Sequence, residues 1–596
     1  MQNVIDKHEF SSSAPEMKYS VIFFIAFTVG FFLTSVNAQQ VAIPQPTPLR
    51  KPADLPPDPP PVAPDFKAIL RPLPSGERVG VRPDEQIALT LQEAIELALQ
   101  NSNDIVASRS DVEIAEWNLK AARAVYDPVL EAQNYYESTA TPTASLIGGA
   151  VNGSVTQTRF FGSAGINGFT PAFGGNYSAR FDSSRTTTSN TNSFLNPQFP
   201  ALLTFSYTQP IFRGRDFDLN RRNIEIAKKN LTLSDSQFRQ RAVDVIASVE
   251  QSYWDLTFAL RNLQVQIEAV KQARLQLESN RRQVEKGILP PIDLVAAEAQ
   301  IANFELGVYS AQENVTRAEN ALKTLILGNR SAAEWAKAIV PVSPVNLETP
   351  KATLDQSVEE ALRSRPEISQ IETAKDINQI EKRYFRDQLK PQIDFVGSYT
   401  AQGLAGTVTQ NGQGRVPPGL IGGYFTSLGN VFGLNFPSYR IGITVSLPFG
   451  NRAAKADFGR VLAQERKIQS QFEQARQIIE SEVRNALQSL KSAEARLSAA
   501  AAARIAAEQL YDSEIRQFRA GTTTFYLVQQ RQTDLLNAKS RELQAQTDLN
   551  KAISAYHRAV GTTLEANNVS VSSGGNILRL PSLRDSARVR FSPLKN

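Results

Sequence analysis

Hydrophobic and polar positions alternate between two periods along the chain. From Phe212 to Gly287 almost no glycine or proline follows Gly214 until the segment ends. From Leu256 onward, apolar residues fall at Leu260, Leu263, Ile267, Val270 and Leu277, the 3-then-4 spacing of a seam that packs on a neighbouring helix. At 1.5 Å per residue the predicted helix is about 100 Å long, several times the diameter of a small domain. It therefore belongs to an elongated bundle. It stops at KGILPPIDL, and a second long segment, Asn451 to Ala520, stops at RAGTTTFYL.

Elsewhere the period becomes two. Val129 to Tyr135, Leu203 to Tyr207, Ile393 to Tyr399 and Tyr439 to Ser446 are short, rich in β-branched and aromatic residues and bounded by turn formers, which predicts strands. RFFGSAGING and NYSARFDSS are candidates for two more. Between them run polar loops such as SSRTTTSNTNSFLNPQF and TQNGQGRVPPGLIGGY, longer than hairpins require.

The order repeats. Thr90 opens LTLQEAIELALQNSNDI as a helix N-cap, with Glu93 as capping-box partner, and Thr353 opens TLDQSVEEALRSRPEI. Pro128 (AVYDPVL) is matched by Pro391 (DQLKPQI), and both pairs lie 263 positions apart, 90 to 353 and 128 to 391. Pro210 and Pro448 close the strand regions. Each half reads helix, strand pair, long helix, glycine turn, helix. The first repeat spans 87–345 with strands at about 129–210, and the second 350–563 with strands at about 392–448.

The N-terminus carries Val21 to Leu33, an apolar run of signal-peptide length, with Lys18 before it and Val36-Asn37-Ala38 as a small-residue cleavage pattern. Residues 1–38 are read as a secretory signal, with Met17 as an alternative start. Residues 39–86 are proline-rich and favour an extended linker or arm. Residues 564–596 form a polar tail without an apolar strand pattern.

Composition narrows the function. Among 596 residues there is no cysteine, and His8 and His557 are the only histidines. Disulfides, thiolate metal sites and a lipidated cysteine are excluded. A lone His557 has no oriented partner for general-base work and reads as structural. The charge of +5 comes from 64 basic and 59 acidic residues, well mixed along the helices, which gives no case for nucleic acid. No phosphate loop, nucleophile motif or ligand cluster occurs, so no catalytic, cofactor or metal residue is expected. Secretion with strands and long loops points to an outer-membrane barrel, in which every backbone group must be paired. Two hairpins give four strands, or six if the extra pair inserts, whereas the smallest single-chain barrels have about eight. Several copies must pool their strands.

From Leu89 to Thr563 the chain resembles the TolC-like family of outer-membrane channels. The resemblance is carried by LTLQEAIELALQNSNDI, the AVYDP and QLKPQ prolines, YTQPIFRG and VSLPFG before the long helices, and the turns EKGILPPIDLVAAEAQ and RAGTTTFYLVQQRQ. It implies an α+β membrane protein acting as a homotrimer. Four strands from each subunit would form a β-barrel in the outer membrane of a Gram-negative bacterium, in contact with its lipid and continuous with a periplasmic α-helical barrel. Such a duct passively conducts drugs, other small molecules or proteins from an inner-membrane pump and a periplasmic adaptor, in tripartite efflux or type I secretion.

The resemblance also places the turns at Gly287 and Gly521 at the periplasmic tip, where the tube narrows and the adaptor docks. Asp293 matches the acidic position of the first turn, although a carboxylate near a helix N-terminus is favourable on its own account. Phe518, Thr523, Leu527 and Gln530 stand where the family has a tyrosine, an arginine and a pair of acidic ring residues, so the familiar closing network does not carry over. Phe518 and Phe525 are a candidate plug. Arg213, Arg215, Arg221 and Arg222 suit either anionic headgroups or a solvated helix start. Tyr135, Tyr136, Phe205, Tyr207 and Tyr399 suit aromatic girdles, pore lining or loop packing. The alternative function is a secreted periplasmic coiled-coil scaffold or adaptor, which would have no use for two long β inserts in register.

Overall fold

Residues 86–143, 148–150, 153–345, 348–572 and 576–579 are described by a computed structural model. The predicted signal segment, the proline-rich stretch up to residue 85, His8 and the end of the tail lie outside them.

The first half opens with β1 (Gln86–Leu89) and α1 (Leu91–Asn101). The expected capping box is present: Glu93 N–H donates to Thr90 Oγ1 (3.2 Å) and Thr90 N–H to Glu93 Oε2 (2.8 Å). After α2 (Asn103–Arg123) come four strands, β2 (Val129–Pro142), β3 (Ser154–Phe169), β4 (Asn176–Thr188) and β5 (Leu195–Pro210). The 67-residue α3 (Leu219–Glu285) returns through α4 (Ile292–Ile326) to β6 (Ala338–Pro341).

The second half repeats the plan. Its elements are α5 (Leu354–Ser364), capped by Thr353 and Gln356, then α6 (Pro366–Gln388), β7 (Gln392–Val408), α7 (Tyr424–Phe432) and β8 (Phe436–Ser446). The 68-residue α8 (Arg452–Arg519) and α9 (Phe525–Val560) follow, with α10 (Thr563–Ala566) and a short antiparallel hairpin of β9 (Val569–Ser572) and β10 (Asn576–Arg579).

The extra strand pair does insert: the first half contributes four strands, so the sheet is six-stranded and antiparallel throughout, in the order β2-β3-β4-β5-β7-β8, and not the four strands per subunit that the family resemblance implies. RFFGSAGING and NYSARFDSS lie inside β3 and β4, which pair continuously over 13 positions, from Gln157 with Thr188 to Phe169 with Asn176. The tail does hold strands, but β9 and β10 pair only with each other.

α3 packs along α4, α2, α6 and α9, and α8 along α9 and α6. Leu263 and Val270 of the predicted seam are buried, with Leu260 and Ile267 packed against them. β1 and β6 pair in parallel. Beside them the fully buried Tyr253 of α3 donates its hydroxyl to Leu89 O (3.0 Å) and accepts Ser343 N–H (2.9 Å), fastening the mini-sheet to the long helix.

Candidate functional site

Successive side chains on a strand point to opposite faces, so the register divides the six-stranded sheet into two surfaces. Cross-strand partners on one surface are Leu130 and Ile166, Tyr136 and Phe160, Phe181 and Leu203, Phe205 and Tyr399, Tyr399 and Tyr439, and Phe395 and Ile443. This face is mostly apolar across all six strands, with Arg185, Thr158 and Thr187 toward one end, and Leu130, Tyr136, Phe160, Phe205, Tyr439, Ile441, Ile443 and Val445 are exposed on it.

The other surface is polar. Arg180 Nε reaches Asp182 Oδ1 (2.6 Å) and its Nη2 reaches Ser163 Oγ (3.3 Å). Thr204 and Thr400 hydroxyls lie 3.2 Å apart, and Gln392 Nε2 donates to Asp394 Oδ2 (2.7 Å). Of the predicted girdle aromatics, Tyr136, Phe205, Tyr207 and Tyr399 share the apolar face. Tyr135 takes the polar one, its ring 4.8 Å from that of Phe161. A contiguous apolar surface of this extent against water is unfavourable.

At the junction between strands and helices the four predicted arginines have intramolecular work. Arg213 donates to Gln392 Oε1. Arg221 Nη2 binds Gly214 O (3.1 Å) and Arg215 O (2.7 Å). Arg222 Nη2 pairs with Glu381 (2.7 Å) and stacks near Tyr384. Arg215 lies over Phe173. Gly214, at φ 81°, donates its N–H to Asp387 (2.6 Å). These contacts knit the two halves together where sheet gives way to helix.

At the far ends of the long helices both turns use the same termination. Gly287 N–H donates to Val284 O and Ile288 N–H to Gln283 O; Gly521 N–H donates to Phe518 O and Thr522 N–H to Gln517 O. This is the Schellman pattern, which needs a left-handed residue, and the glycines supply it at φ 71° and 76°.

The two turns are then joined. Phe518 and Phe525, ring centroids 5.8 Å apart, are buried with Ala297 and Val528. Gln529 Nε2 donates to Ala296 O (2.9 Å), and Gln300 Nε2 to Thr533 Oγ1 (3.2 Å). The phenyl rings therefore act as an internal clasp between the turns of one chain and do not stand free as a plug.

Thr523 Oγ1 donates to the Glu514 carboxylate. Asp293 sits half-buried in the first turn of α4, its N–H bonded to Pro290 O (3.1 Å). Leu527 and Gln530 are exposed, as are Ile288, Ile292, Val295 and Tyr526. Sequence reasoning missed those last four because an apolar residue beside a helix seam reads as core.

Two buried titratable groups of the helical part have shifted pKa values. Burial pushes the Glu250 carboxyl above its ordinary value, against hydrogen bonds from Ser554 and Asn567. His557 is pushed down by burial and its Nδ1 lies 3.0 Å from Thr562 Oγ1, a structural role. Among the described residues no acidic or histidine cluster could hold a metal, and no helix is long and apolar enough to cross a membrane.

The outer membrane efflux protein family model matches residues 94–329 and 357–562, which takes in both repeats. The chain belongs to this family. It is an outer-membrane protein that extends into the periplasm, and a channel rather than an enzyme. A curated relative, the alkaline protease secretion protein AprF of Pseudomonas aeruginosa, is 22% identical over 354 residues, 59% of this chain and 66% of that protein. The match thus spans just under two thirds of that relative.

Solved outer-membrane channels share the fold, among them the following two. The CmeC outer membrane channel of Campylobacter jejuni aligns with TM-score 0.57 at 16% identity, covering 79% of this chain and 86% of that one. CusC, described in connection with transmembrane channel formation, aligns with TM-score 0.57 at 15% identity, covering 84% and 99%.

Proposed function

We propose that this chain is the outer-membrane duct of a tripartite export system, assembled as a homotrimer and engaging a periplasmic adaptor and an inner-membrane pump through its helix turns. The observation that carries the reading is the six-stranded sheet. It has one apolar face for lipid and one polar face for a water-filled lumen. β2 and β8 are its end strands, each paired on one side. An open edge cannot persist in hydrocarbon. In an antiparallel sheet of six, β2 and β8 run in opposite directions, so β8 of one copy can pair with β2 of the next. Three copies of six strands make a barrel of eighteen, within the range of water-filled porins. The coiled-coil scaffold reading leaves the apolar face in water and is disfavoured for that reason.

The helix turns are the part proposed to gate and dock. With Phe518 and Phe525 occupied inside the chain, Ile288, Ile292, Val295, Tyr526 and Leu527 are the apolar side chains left for a neighbouring copy or an adaptor.

The test is direct. Detergent-purified protein is expected to run as a trimer and to form conducting pores in planar bilayers, whereas a monomer that stays soluble without detergent refutes the reading. Gene deletion then separates the cargo classes. Increased antibiotic susceptibility with an unchanged secreted proteome indicates small-molecule efflux, and the converse indicates protein secretion.

A further inference from the structure

On the apolar face of the sheet, beside α7, lies a groove of about 440 Å³. It is lined by the small residues Gly162, Ala164 and Ser183, by the Asn134 amide and by the rings of Phe160, Phe181 and Tyr424, and the Asn134 amide covers Gly162, where a side chain would lie 2.8 Å from its Oδ1. Arg185 lies at one end.

α7 is seated on this face and not on the polar one. It covers Ala201 and Ala401 with Val431, and a side chain at Gly403 would collide with Ser427 O and lie 2.7 Å from Val431 Cγ2. The helix has no charged residue, and its Phe425 and Phe432 are exposed. A charged residue on a lipid-facing strand position is costly near the bilayer midplane and cheap at the interface, so the height of Arg185 matters.

The β3–β4 turn sits at the helix end of the sheet, since a side chain at Gly174 would lie 2.7 Å from Gly214 O. Arg185 is nine positions along β4 from Asn176, beside that turn. With about 3.3 Å per residue and a tilt of about 40°, nine residues rise roughly 23 Å, close to the ~25 Å apolar band of such barrels. Two positions on, the same face turns polar: Thr187 is hydrogen-bonded to Thr158, opposite Ser138. Arg185 is exposed and forms no ion pair with any described residue.

We propose that this groove binds a phosphate-bearing, multiply acylated glycolipid of the outer leaflet, one acyl chain lying over Ala164 between Phe160 and Phe181 and the phosphate meeting Arg185. The small Ala164 gives a chain close contact, Tyr424 and the phenylalanines flank it, and Arg is the side chain best suited to phosphate. The inference rests on the apolar face being covered by lipid, as in the proposed function.

The assay is native mass spectrometry of the full-length detergent-solubilised assembly, titrated with lipid A, phosphatidylglycerol and phosphatidylcholine. Lipid A is expected to be retained at one per protomer, ahead of both phospholipids. Arg185→Gln should weaken it about 10-fold or more, and Arg185→Lys should restore much of that loss. Ala164→Leu, which fills the groove, should weaken it with Arg185 intact. Equal retention in all variants overturns the proposal, as does phosphatidylglycerol binding as well as lipid A. The underlying orientation is checked separately. Because the chain has no cysteine, Ile441→Cys reports alone: labelling by a water-soluble maleimide in intact membranes would show the apolar face to be wet whatever the lipid titration gives.

Discussion

Phe518→Ala tests whether the two turns are clasped from within. Phe518 is on the last turn of α8 and Phe525 on the first of α9, and both rings are buried with Ala297 and Val528, while Leu277, Leu289, Tyr511 and Ile515 pack around them. Removing a buried phenyl group costs about 3–5 kcal/mol through lost transfer energy and the cavity left behind. The lower figure suits a site close to a turn, where neighbours can relax.

Because the cluster is local, the cost falls on opening of the tip and not on the whole bundle. The local opening constant should rise by roughly 100-fold or more. The measurement is amide hydrogen exchange on the detergent-solubilised assembly. Peptides spanning 515–530 and 285–300 should lose protection together, since the cluster joins both turns, while peptides around Tyr253 keep theirs. Phe525→Ala should do the same, and the double variant should expose a coupling of about 0.5–1.5 kcal/mol for the ring pair. Unchanged protection at the second set of peptides refutes the clasp. Equal loss around Tyr253 refutes its locality.

Three further outcomes follow from buried groups elsewhere. Burial raises the Glu250 carboxyl pKa, so its stability contribution is complete below the ordinary carboxyl value and is lost as pH rises through the raised folded one. Glu250→Gln keeps partners in Ser554 and Asn567 and should raise the melting temperature at pH 8 while leaving it little changed at pH 4; identical pH profiles refute this. Tyr253→Phe strands Ser343 N–H and leaves Leu89 O with Val342 N–H alone; it should cost about 1–3 kcal/mol in thermal unfolding, with early exchange at Gln86–Leu89 as its local sign. Gly403→Leu should lift α7 from the sheet, seen as lost protection across Tyr424–Phe432 with β5 and β7 still protected.

How much was legible depended on the range of the signal. The long helices announced themselves through length and seam, and the caps through local chemistry: Thr90 with Glu93, Thr353 with Gln356, and glycines at Gly287 and Gly521 whose hydrogen bonds close on the preceding turn. β1 and β6 left no trace, being four residues each and paired across some 250 positions. β3 stayed ambiguous because its apolar face reads Phe160, Gly162, Ala164, Ile166, with the two small residues in the middle; those positions now line a groove. Tyr135 and Tyr136 are adjacent, and a period of two forces them onto opposite faces, so a single girdle holding both was never available. The arginines after Pro210 looked solvent-directed because their carbonyl, glutamine and carboxylate partners are supplied by the loop's own fold and by α6 and β7.

The added hairpin also shifts where selectivity resides in the proposed trimer. Strands enter in pairs, because an odd insertion would leave β2 and β8 parallel and spoil closure by antiparallel edges. Six strands per copy in place of four enlarge a barrel about 1.5-fold, since diameter grows nearly linearly with strand number. Nothing comparable is added to the helices: α3, α4, α8 and α9 occur once per repeat position in both halves. In that proposed trimer the sheet would be the wide part of the duct, lined by Arg180, Asp182, Thr204 and Thr400, and the constriction would fall to the opposite helix ends. There the clasped phenylalanines fix the turns of each chain, and Ile288, Ile292, Val295 and Tyr526 are what one copy can offer to the next. Substituting these four should change closure and adaptor engagement, whereas substituting lumen residues of the sheet should alter ion preference with little effect on the size limit.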